Sequence, residues 1–252
     1  MNSSEQKKWI RKFSELDTAK GRIIILPHAG GSASFFYELC ADLSSSIECI
    51  AIQYPGRQDR FGEDLIKSIE EYADIITEVI VGLDDKPTIL FGHSMGALIG
   101  YNMLVRHESD LSFVNLFLAS AHNPPQNNPQ FVNDSLGNDN NIIAYLKEMG
   151  GLDDALLLNQ DIMKVILPAV KNDLQAVSKF FDKRSTKIQA PIIAVIGIND
   201  KSTNIESTSG WSDLTSKYFK IVQLPGGHFY LSDEHKKLAK IILKSFDNII
   251  RI

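Results

Sequence analysis

Short runs of β-branched and aliphatic residues alternate along the chain with longer stretches whose apolar residues recur at helical spacing. The runs are 22–26 (RIIIL), 47–53 (IECIAIQ), 88–91 (TILF), 114–119 (VNLFLA), 192–196 (IIAVI) and 219–224 (FKIVQL). Each ends in turn residues and is nearly continuous in apolar character, as strands are when both faces of their sheet are covered. Helical patterns lie at 34–43, 65–81, 96–106 and 232–249. Strand–helix alternation of this kind predicts an α/β fold with a parallel sheet.

One stretch breaks the rhythm. From His122 to about Lys187 no strand pattern occurs. A Pro/Asn-rich opening (HNPPQNNPQ) precedes a helical pattern with Ile142, Ile143, Leu146 and Met149 on one face. A second pattern runs from Gln160 towards Phe181, with Pro168 expected to kink or break it. The chain therefore reads as a single domain over 1–252 with a helical insertion at about 122–187. A helical insertion between parallel strands usually covers their carboxyl-terminal edge, where α/β proteins bind ligands. It is either an extra layer without a substrate role or a mobile lid lining an apolar acyl pocket.

Composition narrows the class. The chain of 252 residues is long enough for a sizeable core, and 44% hydrophobic content is that of a globular protein. No apolar run approaches the roughly 18–20 residues of a bilayer crossing, and MNSSEQKKWIRKF lacks the apolar segment of a secretory signal. A net charge of −5 argues against a dedicated nucleic-acid binder. Cys40 and Cys49 cannot make a disulfide framework or a cysteine-rich zinc site, and free buried thiols suit the cytoplasm. No cofactor or metal motif occurs: there is no P-loop, no G-x-G-x-x-G after a strand and no H-E-x-x-H.

The strongest chemical signal is Gly92-His93-Ser94-Met95-Gly96. It fits G-x-S-x-G, follows the strand TILF directly and opens the helical pattern GALIGYNMLVR, the strand–turn–helix setting of a nucleophile elbow. Ser94 is the candidate nucleophile; a glycine-rich turn without chemistry is the alternative. A serine hydroxyl needs a base, and the base needs an acid. Of six histidines, His228 in Pro225-Gly226-Gly227-His228-Phe229 lies just after the last strand, on a loop that can present an imidazole over the sheet edge. His93 belongs to the elbow itself. His107 and His235 fall on helical patterns and read as solvated, and His122 is the weaker candidate base. The acid expected between nucleophile and base is Asp200, which follows the strand IIAVI. The oxyanion donors expected are the N–H groups of Met95, after the nucleophile, and of Ala29, in the loop Pro27-His28-Ala29-Gly30-Gly31-Ser32 after the first strand. His28 is expected to pack or hydrogen-bond within that loop.

With these residues placed, the chain resembles the α/β-hydrolases and, more narrowly, the type II (external, editing) thioesterases of nonribosomal peptide and polyketide synthesis. The likeness runs from about Arg22 to Leu231. It rests on Pro27-His28-Ala29-Gly30-Gly31, Tyr54-Pro55-Gly56-Arg57 with Arg60, the elbow extended by Ala97, the segment 167–174 (LPAVKNDL), Trp211, and Pro225-Gly226-Gly227-His228-Phe229. Lys171-Asn172-Asp173 departs from the family's Arg-Ala-Asp. The resemblance implies an α/β-hydrolase fold and an acyl substrate held as a thioester on the phosphopantetheine arm of an acyl or peptidyl carrier protein. The enzyme is expected to need no cofactor of its own and to act as a monomer. Arg57 and Arg60 either meet phosphate or a carrier, or pair with carboxylates to fix the loop after the second strand. A carboxylesterase or lipase, an acyltransferase, and a catalytically silent binding module on the same fold remain open.

Overall fold

The structure, a computed structural model, describes residues 3–14, 16, 18–83, 86–127, 138–151, 158–182 and 185–249. Helix α1 (Ser3–Trp9) leads into β1 (Ile10–Lys12) and β2 (Arg22–Leu26); α2 (Tyr37–Leu43), β3 (Glu48–Ile52) and α3 (Ile69–Ile80) follow. Then come β4 (Thr88–His93), α4 (Met95–Arg106) and β5 (Val114–Ser120). Two helices of the insertion, α5 (Asp139–Met149) and α6 (Gln160–Lys179), precede β6 (Ile192–Gly197), α7 (Ile205–Ser209), β7 (Phe219–Leu224) and α8 (Leu231–Ile249). Within the expected insertion, residues 128–137, 152–157 and 183–184 lie outside the described residues.

The described strands form one sheet in the order β1-β3-β2-β4-β5-β6-β7. All neighbours are parallel except β1, which runs antiparallel to β3. The alternation of strand residues explains the unbroken apolar runs. Ile24 and Leu26 point into one core with α3 and α4, while Ile23 and Ile25 point into the other with α2 and α8. Helix α3 shows how local sequence serves this plan. Ser68 caps it by accepting from Glu71 N–H, and Ile69, Tyr72, Ala73, Ile76 and Ile80 form its buried stripe.

The chain departs from its sequence expectations in two places. Helix α1 and β1 carry too short a pattern to read; β1 has only three residues, Ile10 and Arg11 half-buried and Lys12 exposed. Pro168, expected to kink or break its helix, does not break it: α6 runs through it as one helix. Met163, Leu167, Val170 and Leu174 of α6 bury themselves against Ile142 and Leu146 of α5. That packing outweighs the cost of about 3 kcal/mol that an internal proline carries. No helix among the described residues is long and apolar enough to cross a membrane.

The strand order reverses around β2: the chain goes outward to β3, then returns to lay β4 on the other side. The loops after β2 and β4 thus open side by side at the switch point, the usual ligand crevice of an open α/β sheet. Helix α4 sits hard against this point. A Cβ on Gly96 would lie 2.0 Å from the Leu26 carbonyl oxygen. Gly96→Ala should therefore cost on the order of 3 kcal/mol and lower the thermal midpoint by roughly 6–12 °C; a midpoint within 2 °C of wild type, measured by calorimetry, would show that α4 can shift away.

Candidate active site

Ser94 is the turn between β4 and α4. Its backbone, at φ 54° and ψ −117°, lies in a region that a residue with a side chain rarely occupies. Two hydrogen bonds hold it there: Ser94 N–H donates to Ser120 O at 2.8 Å, and Ala97 N–H donates to Ser94 O at 2.8 Å. The flanking glycines are needed because a Cβ on Gly92 would stand 2.2 Å from Gly96 O. The spacer His93 is held too. His93 Nδ1 pairs with Ser120 Oγ at 2.8 Å, and Ser120 Oγ with Tyr230 OH at 2.7 Å.

Three distant loops meet here. His228 Nε2 lies 3.0 Å from Ser94 Oγ, and His228 Nδ1 lies 3.0 Å from Asp200 Oδ2. His228 and Asp200 are buried, whereas Ser94 is half-buried. Asp200 receives more than the imidazole: Ser202 N–H and Ser202 Oγ donate to Oδ1 at 2.8 and 2.7 Å, and Thr203 Oγ1 donates to Oδ2 at 2.9 Å. Burial alone would raise the Asp200 carboxyl, but His228 and Ser202 outweigh it and hold it below its ordinary value. An ionised Asp200 sets the imidazole tautomer, leaving the lone pair of Nε2 for the serine proton. Sequence reasoning did not single out Ser202 and Thr203. Hydroxyls two and three residues after an aspartate are a turn signal that would have marked them.

Met95 opens α4, so its N–H has no partner within the helix. Among the described residues, neither it nor the Ala29 N–H meets a protein acceptor. Both residues stand at the switch point, and Ala29 lines a cavity of about 420 Å³ together with Ser94. The insertion closes over this cavity through Tyr145, Glu148, Met149, Leu174 and Val177, so it lines the site and is not merely an outer layer. The expected apolar pocket is mixed in character: His122, Asn123, Asn127, Glu148, Lys201 and Thr203 share its wall. Glu148 Oε1 and Lys201 Nζ pair at 3.2 Å, joining α5 to the loop that carries Asp200.

The remaining expected residues find structural partners. Arg57 pairs with the buried Asp173 and Arg60 with Glu63, so both arginines fix the loop after β3. Trp211 is fully buried and donates to His122 O at 2.8 Å. Cys40 and Cys49 are buried and free. His107 and His235, read as solvated, are half-buried and paired with Asp74 and Asp42 at 2.7 Å each.

Three further imidazoles crowd His228. The His93 ring centre is 5.5 Å from that of His228, and His28 packs edge-on against Phe35, Phe229 and His93. Burial is the main cause that lowers His28 to about 3 and His93 well below the usual histidine value. Burial lowers His122 to about 4. These rings are neutral at pH 7 and do not compete for the Ser94 proton. They also make the fold sensitive to acid. Below about pH 6.5 the unfolded chain binds protons that the native rings refuse, so stability falls as pH drops towards 4. Three such sites give a slope of up to about 4 kcal/mol per pH unit. Urea midpoints at pH 7, 6 and 5 should fall steeply, and His122→Gln should flatten the slope by about a third; an unchanged slope in that variant would mean that His122 protonates freely in the folded state.

Comparison with known proteins agrees with this architecture. The thioesterase domain family model matches residues 21–246. A probable cadicidin biosynthesis thioesterase of Streptomyces griseus is 31% identical over 225 residues, which are 89% of this chain and 62% of that protein, so the chain spans less than two thirds of that relative. The gramicidin S biosynthesis protein GrsT of Aneurinibacillus migulanus is 30% identical over 245 residues, 96% of this chain and 94% of its own. The solved structure of the type II thioesterase BorB, from the borrelidin biosynthetic cluster, superposes with a TM-score of 0.86 at 31% identity, covering 95% of this chain and 98% of that one. Likeness of this extent means that the chain belongs to the thioesterase domain family, built on the α/β-hydrolase fold.

Proposed function

We propose that this thioesterase releases acyl groups held as thioesters on the phosphopantetheine arm of carrier proteins, as an editing enzyme of nonribosomal peptide or polyketide synthesis in the cytoplasm. The observation that carries the chemistry is the unbroken chain from Ser94 Oγ through His228 to Asp200, with 3.0 Å at each step, on the wall of a cavity. The carrier substrate is supported by the relatives, whose names tie them to gramicidin S and borrelidin biosynthesis.

The reaction runs in two halves. His228 Nε2 takes the Ser94 proton as Oγ attacks the thioester carbonyl carbon, and the carbonyl electron pair moves onto oxygen. The Ala29 and Met95 N–H groups receive that oxyanion, with the amino end of α4 adding favourable potential. The C–S bond then breaks. The sulfur leaves with the proton from His228, easily because a thiol pKa near 8.5 makes thiolate a good leaving group. Water attacks the acyl-enzyme, giving its proton to His228, and the free acid departs as that proton returns to Ser94. Asp200 stays ionised and stabilises the imidazolium in both halves.

Ser94→Ala should abolish acyl release and covalent labelling by a fluorophosphonate; near-normal turnover would rule out Ser94 as nucleophile. Asp200→Asn should keep the fold and lower kcat by roughly 10⁴-fold through the wrong imidazole tautomer. For the substrate, mass spectrometry of acyl-loaded carrier protein should show free carrier thiol appearing with enzyme and not with Ser94→Ala. Faster cleavage of a simple carboxylic ester than of any acyl-carrier would point to an esterase instead.

A further inference from the structure

We propose that Asp173 is a positioning residue for the oxyanion site: from the lid helix α6 its carboxylate holds the loop after β2 so that the Ala29 N–H faces the attacked carbonyl. The proposal rests on the reading of Ala29 as an oxyanion donor.

Asp173 is wholly buried, yet each of its oxygens is used. Oδ2 accepts from Gly30 N–H at 2.8 Å and from Arg57 Nη2; Oδ1 accepts from Tyr72 OH at 2.8 Å and from Asn172 Nδ2 at 3.3 Å. One carboxylate thus joins the lid helix, α3, the loop after β3 and the loop after β2. The peptide that matters lies one residue before Gly30. In a trans peptide the C=O and N–H point in opposite directions. The carbonyl of the 28–29 peptide is taken by Gly31 N–H at 2.9 Å, inside the turn, so the Ala29 N–H points out of it. The turn itself is pinned at both ends. Tyr54 OH donates to Pro27 O at 3.1 Å, and Asp173 holds Gly30 N–H. The Arg57 guanidinium, which pairs with Asp173, also lies over the Tyr54 ring at 5.3 Å.

Stability alone gives little reason for this arrangement. Exchanging a buried ion pair for apolar residues of similar volume is often neutral or stabilising. An apolar pair cannot accept the Gly30 N–H, and a free N–H there lets the turn rotate and the Ala29 donor swing off its target. Asp173 therefore acts through Ala29 and touches no reacting atom. The lid and the oxyanion donor form one mechanical unit, so a lid displaced from Gly30 leaves Ser94 in place while disarming the site.

The test uses the double variant Arg57→Met/Asp173→Leu, which leaves no unpaired charge. Two readouts are measured: hydrolysis of an acyl-pantetheine thioester, and binding of a trifluoromethyl ketone analogue, which adds to Ser94 as an anionic hemiketal. The variant should lose about 10–100-fold in kcat with KM within about threefold, somewhat less than outright removal of an oxyanion donor costs. Its affinity for the trifluoromethyl ketone should fall in parallel, while a thioether analogue without a carbonyl binds as to wild type. Arg60→Met, which breaks the neighbouring pair of buried Arg60 with exposed Glu63 without touching Gly30, is the control. It should lose stability and keep both kcat and ketone affinity. Wild-type kcat and ketone affinity in the double variant would overturn the proposal, as would equal losses in Arg60→Met. Should the double variant not fold, Asp173→Asn, which offers Gly30 a neutral acceptor for a charged one, should show the same split with a smaller loss. A trifluoromethyl ketone that binds wild type and Ser94→Ala alike would instead defeat the nucleophile reading, and this proposal with it.

Discussion

Parallel strands deliver their carboxyl ends to one edge of a sheet, and every reacting group proposed here comes from a loop at that edge. Leu26 pairs with Gly92, and Gly197 pairs with Leu224, so the loops carrying Ala29, Ser94, Asp200 and His228 begin at nearly the same level. The register is set by alternate strand residues reaching two different cores, and a slip of one residue would exchange those cores throughout the sheet. Side chains up to 134 residues apart in sequence therefore meet at 3.0 Å because of backbone pairing far from the chemistry.

Charge at the site is arranged by unequal treatment of similar groups. Asp200 is buried but receives His228, Ser202 and Thr203, which offset its desolvation. Arg57 is buried as well. Burial opposes its charge, and Asp173 with Tyr72 outweighs that effect, so its pKa rises. Among the described residues, His28, His93 and His122 have no hydrogen-bonded carboxylate, and burial holds them neutral. The result is a single imidazole, His228, placed between a proton donor and an anion, surrounded by rings that add bulk without adding charge.

The insertion belongs to the site as well as covering it. Its two described helices bury Ile142, Leu146, Met163, Leu167, Val170 and Leu174 against one another, and Ala29 packs against that cluster. The same helices supply cavity wall through Tyr145, Met149 and Leu174.

Much of this was legible in the residues themselves. Period and turn chemistry set the six long strands, and G-x-S-x-G between a strand and a helix identified Ser94, because those signals act over a few neighbouring residues. His228 and Asp200 could be chosen because a position just after a parallel strand already implies the common edge. Other features carried no local signal. The three residues of β1 are too few for a period, and Pro168 stays helical only because Leu167 and Val170 gain more from α5 than the proline costs. Most of all, nothing near Asp173 in sequence announces Gly30, 143 residues away, or Arg57, 116 residues away. Local sequence determined which groups could react and at which strand ends they would sit; the tertiary structure alone decided which buried carboxylate holds which loop, because that depends on the crossing of separate helices and not on the spacing of neighbours along the chain.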